Sequence, residues 1–173
     1  MRSNQDDVST LFLQFSRAKL LDQYWPRLRA AVSPLTPEQL NWRPNEASNS
    51  IANLILHLDG NVRQWLVASF NGEQDRRDRP AEFAERRLLT AGPLLAQLAA
   101  TMDEAAAVLA RLTPGDLTAR YEIQGYHVSG LDAVYQVVEH FGLHYGQILY
   151  IAKSLTAADL GFYSELNATG RAS

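Results

Sequence analysis

The histidines are the residues of this sequence whose type and spacing could do chemistry. The chain has four. Residues at positions i and i+4 of a helix are neighbours on one face, so His140 and His144 could reach one ion. With His57 from another helix they would form a three-histidine site, because imidazole is a common ligand of divalent metals. The alternative is that they are histidines at the edge of the core, satisfied by hydrogen bonds.

Three imidazoles from two helices would leave positions on a metal open, as in catalytic rather than structural sites. The spacing is also that of a metalloprotease helix, but that motif needs Glu directly after the first His. Here the residue is Phe141. We assign no catalytic residue and predict no site for an organic cofactor. The fourth histidine, His127, lies outside the predicted helices and is expected to be exposed.

Four long stretches of helical periodicity must position these residues. They run over about 8–32, 50–70, 91–112 and 129–155. The composition agrees, with 25 leucines and 23 alanines against only 9 valines and 5 isoleucines. We therefore predict an all-α fold, a four-helix bundle. A chain of 173 residues is of the size of one domain, which we expect to span residues 1–173.

The helical faces indicate which side chains could surround a metal. On the fourth helix His144 falls inside the apolar stripe and His140 on its edge. On the second helix an uncharged polar stripe runs beside the core, and it suits a pocket wall better than a solvent face, which would carry more charge. Its members are Ser50, Asn53, His57, Asn61 and Gln64. We take Asn53, Asn61 and Gln147 as candidates to orient the ligands or a substrate.

The segments between the helices carry clear turn signals. Residues 34–48 contain three prolines and one short turn capped by Thr36. Interleaved Arg and Asp over Glu73–Arg87 predict a solvated loop. Tyr121–Val128 alternates in polarity, which predicts a short extended excursion. Within the first helix, Pro26 is expected to cause a kink or bend.

Composition excludes several classes of function. The chain has no cysteine, which excludes disulfides, thiolate metal sites and a cysteine nucleophile. A net charge of −3 argues against a nucleic-acid partner. No apolar run is long enough to span a membrane, and residues 1–8 lack the apolar core of a signal peptide. We expect a cytoplasmic protein with a small-molecule substrate.

Two motifs, taken together, resemble the DinB-like superfamily. The first is His140-x-x-x-His144-x-Gly-Gln-Ile, and the second is the entry to His57 through Trp42-Arg43-Pro44 and Asn49-Ser50-Ile51. Three further segments resemble one uncharacterised branch of that superfamily. They are 121–125, 159–163 and 75–83, the last with Arg77, Arg79, Glu82 and Phe83.

The resemblance implies a four-helix bundle in which His57, His140 and His144 bind a divalent metal, with zinc and nickel as the leading choices. Characterised relatives include S-transferases of low-molecular-weight thiols, and many are homodimers. We therefore expect a metal-dependent enzyme that transfers a small thiol to an electrophilic substrate. Arg77 and Arg79 are candidates to hold a carboxylate of the thiol.

Two alternatives stay open. The first is a metal-dependent hydrolase of small amides or esters, which would need a carboxylate near the metal. Glu139 and Asp132 are the nearest acidic residues on the fourth helix, but their angular positions turn them away from His144. Asp59, on the second helix, likewise points away from His57. The second alternative is a non-catalytic, metal-binding dimeric module.

Overall fold

The computed structural model describes residues 4–164. Within them the chain forms seven helices and one β-hairpin. Helix α1 joins Asn4–Arg17, Ala18–Tyr24 and Trp25–Val32; α2 is Pro37–Asn41; α3 joins Ile51–Val62, Arg63–Ala68 and Ser69–Asn71; α4 is Arg79–Ala84; α5 is Ala91–Arg111; and α6 is Pro114–Thr118. The hairpin strands are β1, Arg120–Ile123, and β2, Tyr126–Ser129, and α7 is Gly130–Thr156.

The four long helices α1, α3, α5 and α7 share one apolar core. Each contributes side chains with no exposed surface, among them Leu28, Leu58, Leu98 and Phe141. Burying such side chains is the main favourable contribution to folding, at about 1.5–3 kcal/mol each. The predicted all-α four-helix bundle is confirmed. None of the helices within residues 4–164 has the length and apolar character needed to cross a bilayer.

Reciprocal hydrogen bonds fix where two site-bearing helices begin. At the start of α3, Ser50 Oγ accepts from the backbone N–H of Asn53, and the Asn53 side chain accepts from Ser50 in return. Ser129 and Asp132 form the same capping box at the start of α7. Each box satisfies two backbone donors that would otherwise lack partners. The starts predicted at residues 50 and 129 are therefore confirmed.

Two of the long helices contain π-helical segments. In α1 the segment Ala18–Tyr24 ends two residues before Pro26, which has no backbone N–H to donate. The helix continues through Pro26 to Val32, so the irregularity expected at the proline lies in the preceding turns. In α3 the π-helical segment is Arg63–Ala68, directly after the part of the helix that carries His57.

The extended excursion predicted for Tyr121–Val128 is a β-hairpin. Strands β1 and β2 pair antiparallel, with Arg120 opposite Ser129 and Ile123 opposite Tyr126. Both turn residues have positive φ, 54° at Gln124 and 78° at Gly125. Such a two-residue turn matches the twist of a hairpin. Ring contacts place the hairpin beside the second half of α3.

The segment over residues 73–87, hereafter the cover segment, differs from the solvated loop predicted for it. It contains helix α4, which begins after Asp78, whose side chain accepts from the backbone N–H of Ala81. The side chains of Arg77 and Glu82 are only 5% and 10% exposed. The prediction was wrong here because these two opposite charges pair with each other and pack on α3. A charge pattern alone does not show such pairing.

Candidate metal centre

Three histidines from two helices meet at one point of the bundle. His57 lies on α3, and His140 and His144 lie one turn apart on α7. One ring nitrogen of each lies within 4.8 Å of the corresponding nitrogens of the other two. The three ring centroids are 4.5–5.0 Å apart. Among the described residues, no other three histidine, aspartate or glutamate side chains come this close together.

The hydrogen bond of His57 fixes which of its nitrogens faces the cluster. Its Nδ1 lies 2.8 Å from Glu82 Oε2, a carboxylate that can only accept, so Nδ1 carries the proton. Arg77 Nη2, 3.0 Å from the same Nδ1, has its own acceptors in Glu82 Oε2 and the His57 carbonyl. The Nε2 lone pair of His57 is therefore directed at the cluster, where it lies 2.8 Å from Nε2 of His140.

His144 is oriented in the same way by a residue on its own helix. Its Nδ1 lies 2.7 Å from Oε1 of Gln147, three residues further along α7. An amide oxygen accepts, so Nδ1 of His144 donates and its Nε2 is left as a lone-pair donor. Two of the three imidazoles are thus held in the tautomer that binds a cation through Nε2. This donor set is compatible with a divalent metal.

The cluster is buried on one side and open on the other. His57 is 3% exposed, whereas His140 and His144 are half-buried. Burial, together with the neighbouring histidines and the positive charges of Arg77 and Arg79, lowers the pKa of His140 to about 4. Burial also lowers the pKa of His144, despite its hydrogen bond to Gln147. Neutral imidazole is the form that binds metals.

A buried ion pair from the cover segment supports His57 from behind. Arg77 Nε donates to Glu82 Oε1 at 2.7 Å, and Arg77 Nη2 donates to Glu82 Oε2 at 2.9 Å. Burial alone would raise the pKa of Glu82. Hydrogen bonds from His57 and Arg77, with the Arg77 charge, outweigh burial and lower the pKa below its ordinary value. Glu82 is therefore an ionised acceptor for the imidazole.

Gly60 makes this close packing possible. A Cβ at Gly60 would lie 2.0 Å from Glu82 Oε1 and 2.8 Å from Arg77 Nε. Real Cβ atoms do not approach oxygen so closely. On α3, one turn after His57, a glycine is therefore the residue that lets the ion pair lie against the helix.

Asn53 fixes the cover segment to the start of α3. Its Nδ2 donates to the backbone oxygens of Glu82 at 2.9 Å and of Glu85 at 3.2 Å. Its Oδ1 accepts from Ser50 and from Arg43. The side chain of the candidate Asn53 is buried, and its hydrogen bonds go to other residues than the three histidines. It holds the backbone of the residue that does.

Of the remaining candidate residues, one lies beside the cluster and the others lie away from it. Asn61, one turn after His57 on α3, is 4% exposed, and its Oδ1 has no hydrogen-bond partner among the described residues. His127 is exposed on β2 and lies outside the cluster. Asp59 accepts from Gln97 and Thr101 of α5, on a different face of α3 from His57. Glu139 and Asp132 of α7 are exposed, as predicted.

Sequence reasoning did not find the roles of Glu82, Arg77 and Gly60. Arg77 and Glu82 belong to the motif quoted for the resemblance, but their pairing was not inferred. The uncharged polar stripe on α3, which we interpreted as a pocket wall, is the feature that could have indicated a polar segment covering that face. Which residues cover it depends on the path of the chain between α3 and α5.

Comparison with known families agrees with this geometry. The model of the DinB superfamily matches residues 20–148, which include all three histidines of the cluster, Asn53, Asn61 and Gln147. That is well over half of the chain, and the chain therefore belongs to the DinB superfamily. A search of curated proteins finds no match.

Proposed function

We propose that this member of the DinB superfamily is a divalent-metal-dependent enzyme, and that its metal ligands are His57, His140 and His144. Its proposed reaction is the transfer of a small thiol to an electrophilic substrate. The observation that carries the proposal is the convergence of three imidazoles, two of which donate from Nδ1 to an acceptor and so direct the lone pair of Nε2 at the cluster. Zinc and nickel are the proposed metals, since both accept imidazole ligands.

The surrounding residues support such a site by position and charge. Glu82 hydrogen-bonds His57 and raises its basicity as a ligand, as carboxylates do in other histidine metal sites. Gln147 does the same for His144 with a weaker, neutral acceptor. Three ligands from the protein leave further positions for a substrate, on the open side of the cluster.

The chemistry fits a reaction in which the protein moves few protons. A divalent cation, when bound, supplies positive charge that lowers the pKa of a neighbouring thiol. The thiol proton is released to solvent, the sulfur forms a bond to the electrophilic carbon, and the leaving group departs with its bonding electrons. Because the chain has no cysteine, no thiol of the protein competes with the substrate for the metal or for the electrophile.

Hydrolysis remains the second choice on a specific observation. It needs a carboxylate that can take a proton from water beside the metal. The carboxylate that contacts the cluster is Glu82, and it lies behind His57, bound to Nδ1 and to Arg77. A carboxylate so engaged supports the ligand and is poorly placed as a general base.

The first experiment measures metal content by elemental mass spectrometry on untagged protein, with His57, His140 and His144 each replaced by Ala. His127→Ala is the matched control, because it removes the one histidine outside the cluster. We expect about one metal per chain in the wild type and control, and loss in the other three variants. A wild type that binds neither zinc nor nickel would overturn the metal site.

The second experiment tests the reaction on metal-loaded protein. Small thiols and electrophiles are combined pairwise, and conjugates are measured by mass spectrometry with and without the metal. We expect at least one conjugate whose formation requires the metal and fails in His144→Ala. If metal binds and amides or esters are cleaved instead, the hydrolase replaces the transferase. Metal binding without either reaction would favour a non-catalytic module.

We also propose that the protein is a homodimer, as relatives often are. Light scattering coupled to size-exclusion chromatography measures the mass directly. A mass of twice 19.3 kDa supports the dimer, and a mass of one chain overturns it.

A further inference from the structure

A cavity adjoins the histidine cluster on its open side. It has a volume of about 430 Å³ and lies between α3, the hairpin and α7. His57 and His140 form part of its wall. The volume is that of a small-molecule site. A molecule in this cavity could contact both imidazoles, and the rest of the wall determines which molecules fit.

The charge on this wall has one sign. Within residues 4–164 no carboxylate lines the cavity, whereas two arginines, Arg77 and Arg79, do. The charge of Arg77 is balanced by Glu82. Arg79 is exposed, and no described carboxylate lies within ion-pairing distance of it; its guanidinium instead lies 4.9 Å from the ring centre of Phe83. Arg79 therefore gives the cavity an uncompensated positive charge.

The neighbouring large cavity has the opposite character, which makes the contrast informative. It measures about 750 Å³ and is lined by six acidic residues of α3 and the cover segment against three arginines. In a chain with a net charge of −3, a cavity that has arginines and lacks carboxylates is a local exception. Such a site attracts anions.

A buried hydrogen-bond acceptor in the wall places a second requirement on a ligand. Asn61 lines the cavity beside His57, and its Oδ1 is buried without a partner among the described residues. Leaving a buried polar atom unpaired costs about 1–3 kcal/mol. A ligand N–H or O–H donor would remove that cost. Amides from two other elements, Gln124 and Gln136, also line the cavity and can donate or accept.

We propose that this cavity binds a small organic carboxylate that carries an N–H or O–H donor near its carboxylate. Arg79 pairs with the carboxylate and Asn61 accepts from the donor, while another part of the molecule contacts His57 and His140. The planar guanidinium can bind a carboxylate through two parallel hydrogen bonds. This inference rests on the proposed function, in which it specifies the class of thiol.

The test compares a carboxylate with its neutral amide. N-acetylcysteine and N-acetylcysteinamide are titrated by calorimetry into wild type, Arg79→Gln and Arg29→Gln, each with and without zinc. Arg29 is exposed on α1 and lines none of the cavities described here, so its variant is the matched control for lost charge. The two probes differ slightly in thiol acidity, but that difference is common to all three proteins and cancels in the comparison.

We expect the ratio of the affinity for the carboxylate to the affinity for the amide to be about fivefold higher in the wild type and Arg29→Gln than in Arg79→Gln, as for a charge-assisted hydrogen bond at a partly solvated site. Arg79→Gln should keep its zinc. A ratio in Arg79→Gln equal to that in the wild type would overturn the proposal.

The same titrations separate this proposal from the proposed function. If no zinc binds but the wild type prefers the carboxylate and Arg79→Gln does not, the anion site stands and the metal site fails. If zinc binds to all three proteins and the ratio of affinities for the two probes is the same in each, the metal site stands and the anion site fails. Failure of both probes to bind at millimolar concentration, with or without zinc, also overturns the anion site.

Discussion

Replacing Gly60 by Ala should weaken metal binding even though alanine favours helices. The added Cβ would lie 2.0 Å from Glu82 Oε1, so the carboxylate must move by more than 1 Å to reach normal contact. Its hydrogen bond to His57 Nδ1 is 2.8 Å long, and the one from Arg77 Nε is 2.7 Å. A shift of that size takes both beyond hydrogen-bond distance.

The expected magnitudes differ between stability and metal affinity. In a helix interior, Gly to Ala stabilises by about 1 kcal/mol. Losing charge-assisted hydrogen bonds of Glu82 costs about 2–3 kcal/mol, so the metal-free variant should lose a net 1–2 kcal/mol of unfolding free energy. Loss of the partner that orients a histidine ligand typically weakens metal affinity by about 10–100-fold. Both effects depend on the same displaced carboxylate.

Two measurements check this prediction. Zinc affinity is measured by competition with a chromogenic chelator, and the stability of metal-free protein by urea unfolding. Gly146→Ala is the matched control, because Gly146 lies inside helix α7 and a Cβ there would meet no atom within 4 Å. The control should gain about 1 kcal/mol and keep its zinc affinity within about twofold.

A double variant isolates the cause. In a Glu82→Ala background the carboxylate is gone, so Gly60→Ala should cause no further loss of zinc affinity and should recover its helix-propensity gain. If Gly60→Ala alone binds zinc within about twofold of wild type, the prediction is wrong. If the two substitutions weaken zinc binding additively, Gly60→Ala does not act through the Glu82 carboxylate.

Three further predictions concern other supports of the site. Asn53→Ala should lower the unfolding free energy by about 2–4 kcal/mol, because a capping box and two buried carbonyl partners are lost; urea unfolding measures it. Gln147→Ala should weaken zinc affinity by only about 2–10-fold, less than Glu82→Gln, since a neutral acceptor orients His144 more weakly. Hydrogen bonds from Ser129 lower the pKa of Asp132, so its contribution is present at neutral pH and lost as pH falls through that lowered pKa. The stability gap between wild type and Asp132→Asn should therefore narrow from pH 5 to about pH 2.

A different result would contradict each of these three predictions. An Asn53→Ala protein as stable as wild type would mean that the cover segment is held elsewhere. A Gln147→Ala protein weaker for zinc than Glu82→Gln would reverse the proposed order of the two supports. A stability gap that stays constant or widens in acid would contradict the direction of the Asp132 shift.

Local signals were sufficient to predict the framework of the fold from the sequence. Ser50 and Ser129, each followed three residues later by a side chain that can return the hydrogen bond, mark the helix starts within the chain itself. The i, i+4 spacing of His140 and His144 is likewise local, and a regular helix must place them on one face. His57 required one further step, which the bundle architecture and the family resemblance provided.

The support of the site could not be predicted, because it depends on contacts between distant segments. Glu82 lies 25 residues from His57, and nothing in the sequence says which of the acidic residues in the cover segment turns inward. Interleaved charges usually mark a solvated surface. The exception arises because Arg77 forms an ion pair with Glu82 and both form hydrogen bonds with side chains of α3. These interactions can be recognised only in the folded structure.

Two features of the sequence that look independent are therefore complementary. The uncharged polar stripe on α3 contacts the charged cover segment along most of the length of the stripe. Asn53 holds the backbone of Glu82 and Glu85, His57 meets the Glu82 carboxylate, and Gln64 accepts from Arg77 at 3.0 Å. Asn61 is the member of the stripe whose acceptor is left unpaired, and with His57 it lines the cavity beside the cluster. A polar stripe that is satisfied at every position except beside the site is what a ligand-binding face requires, whereas a purely structural stripe would have no reason to leave that one acceptor without a partner.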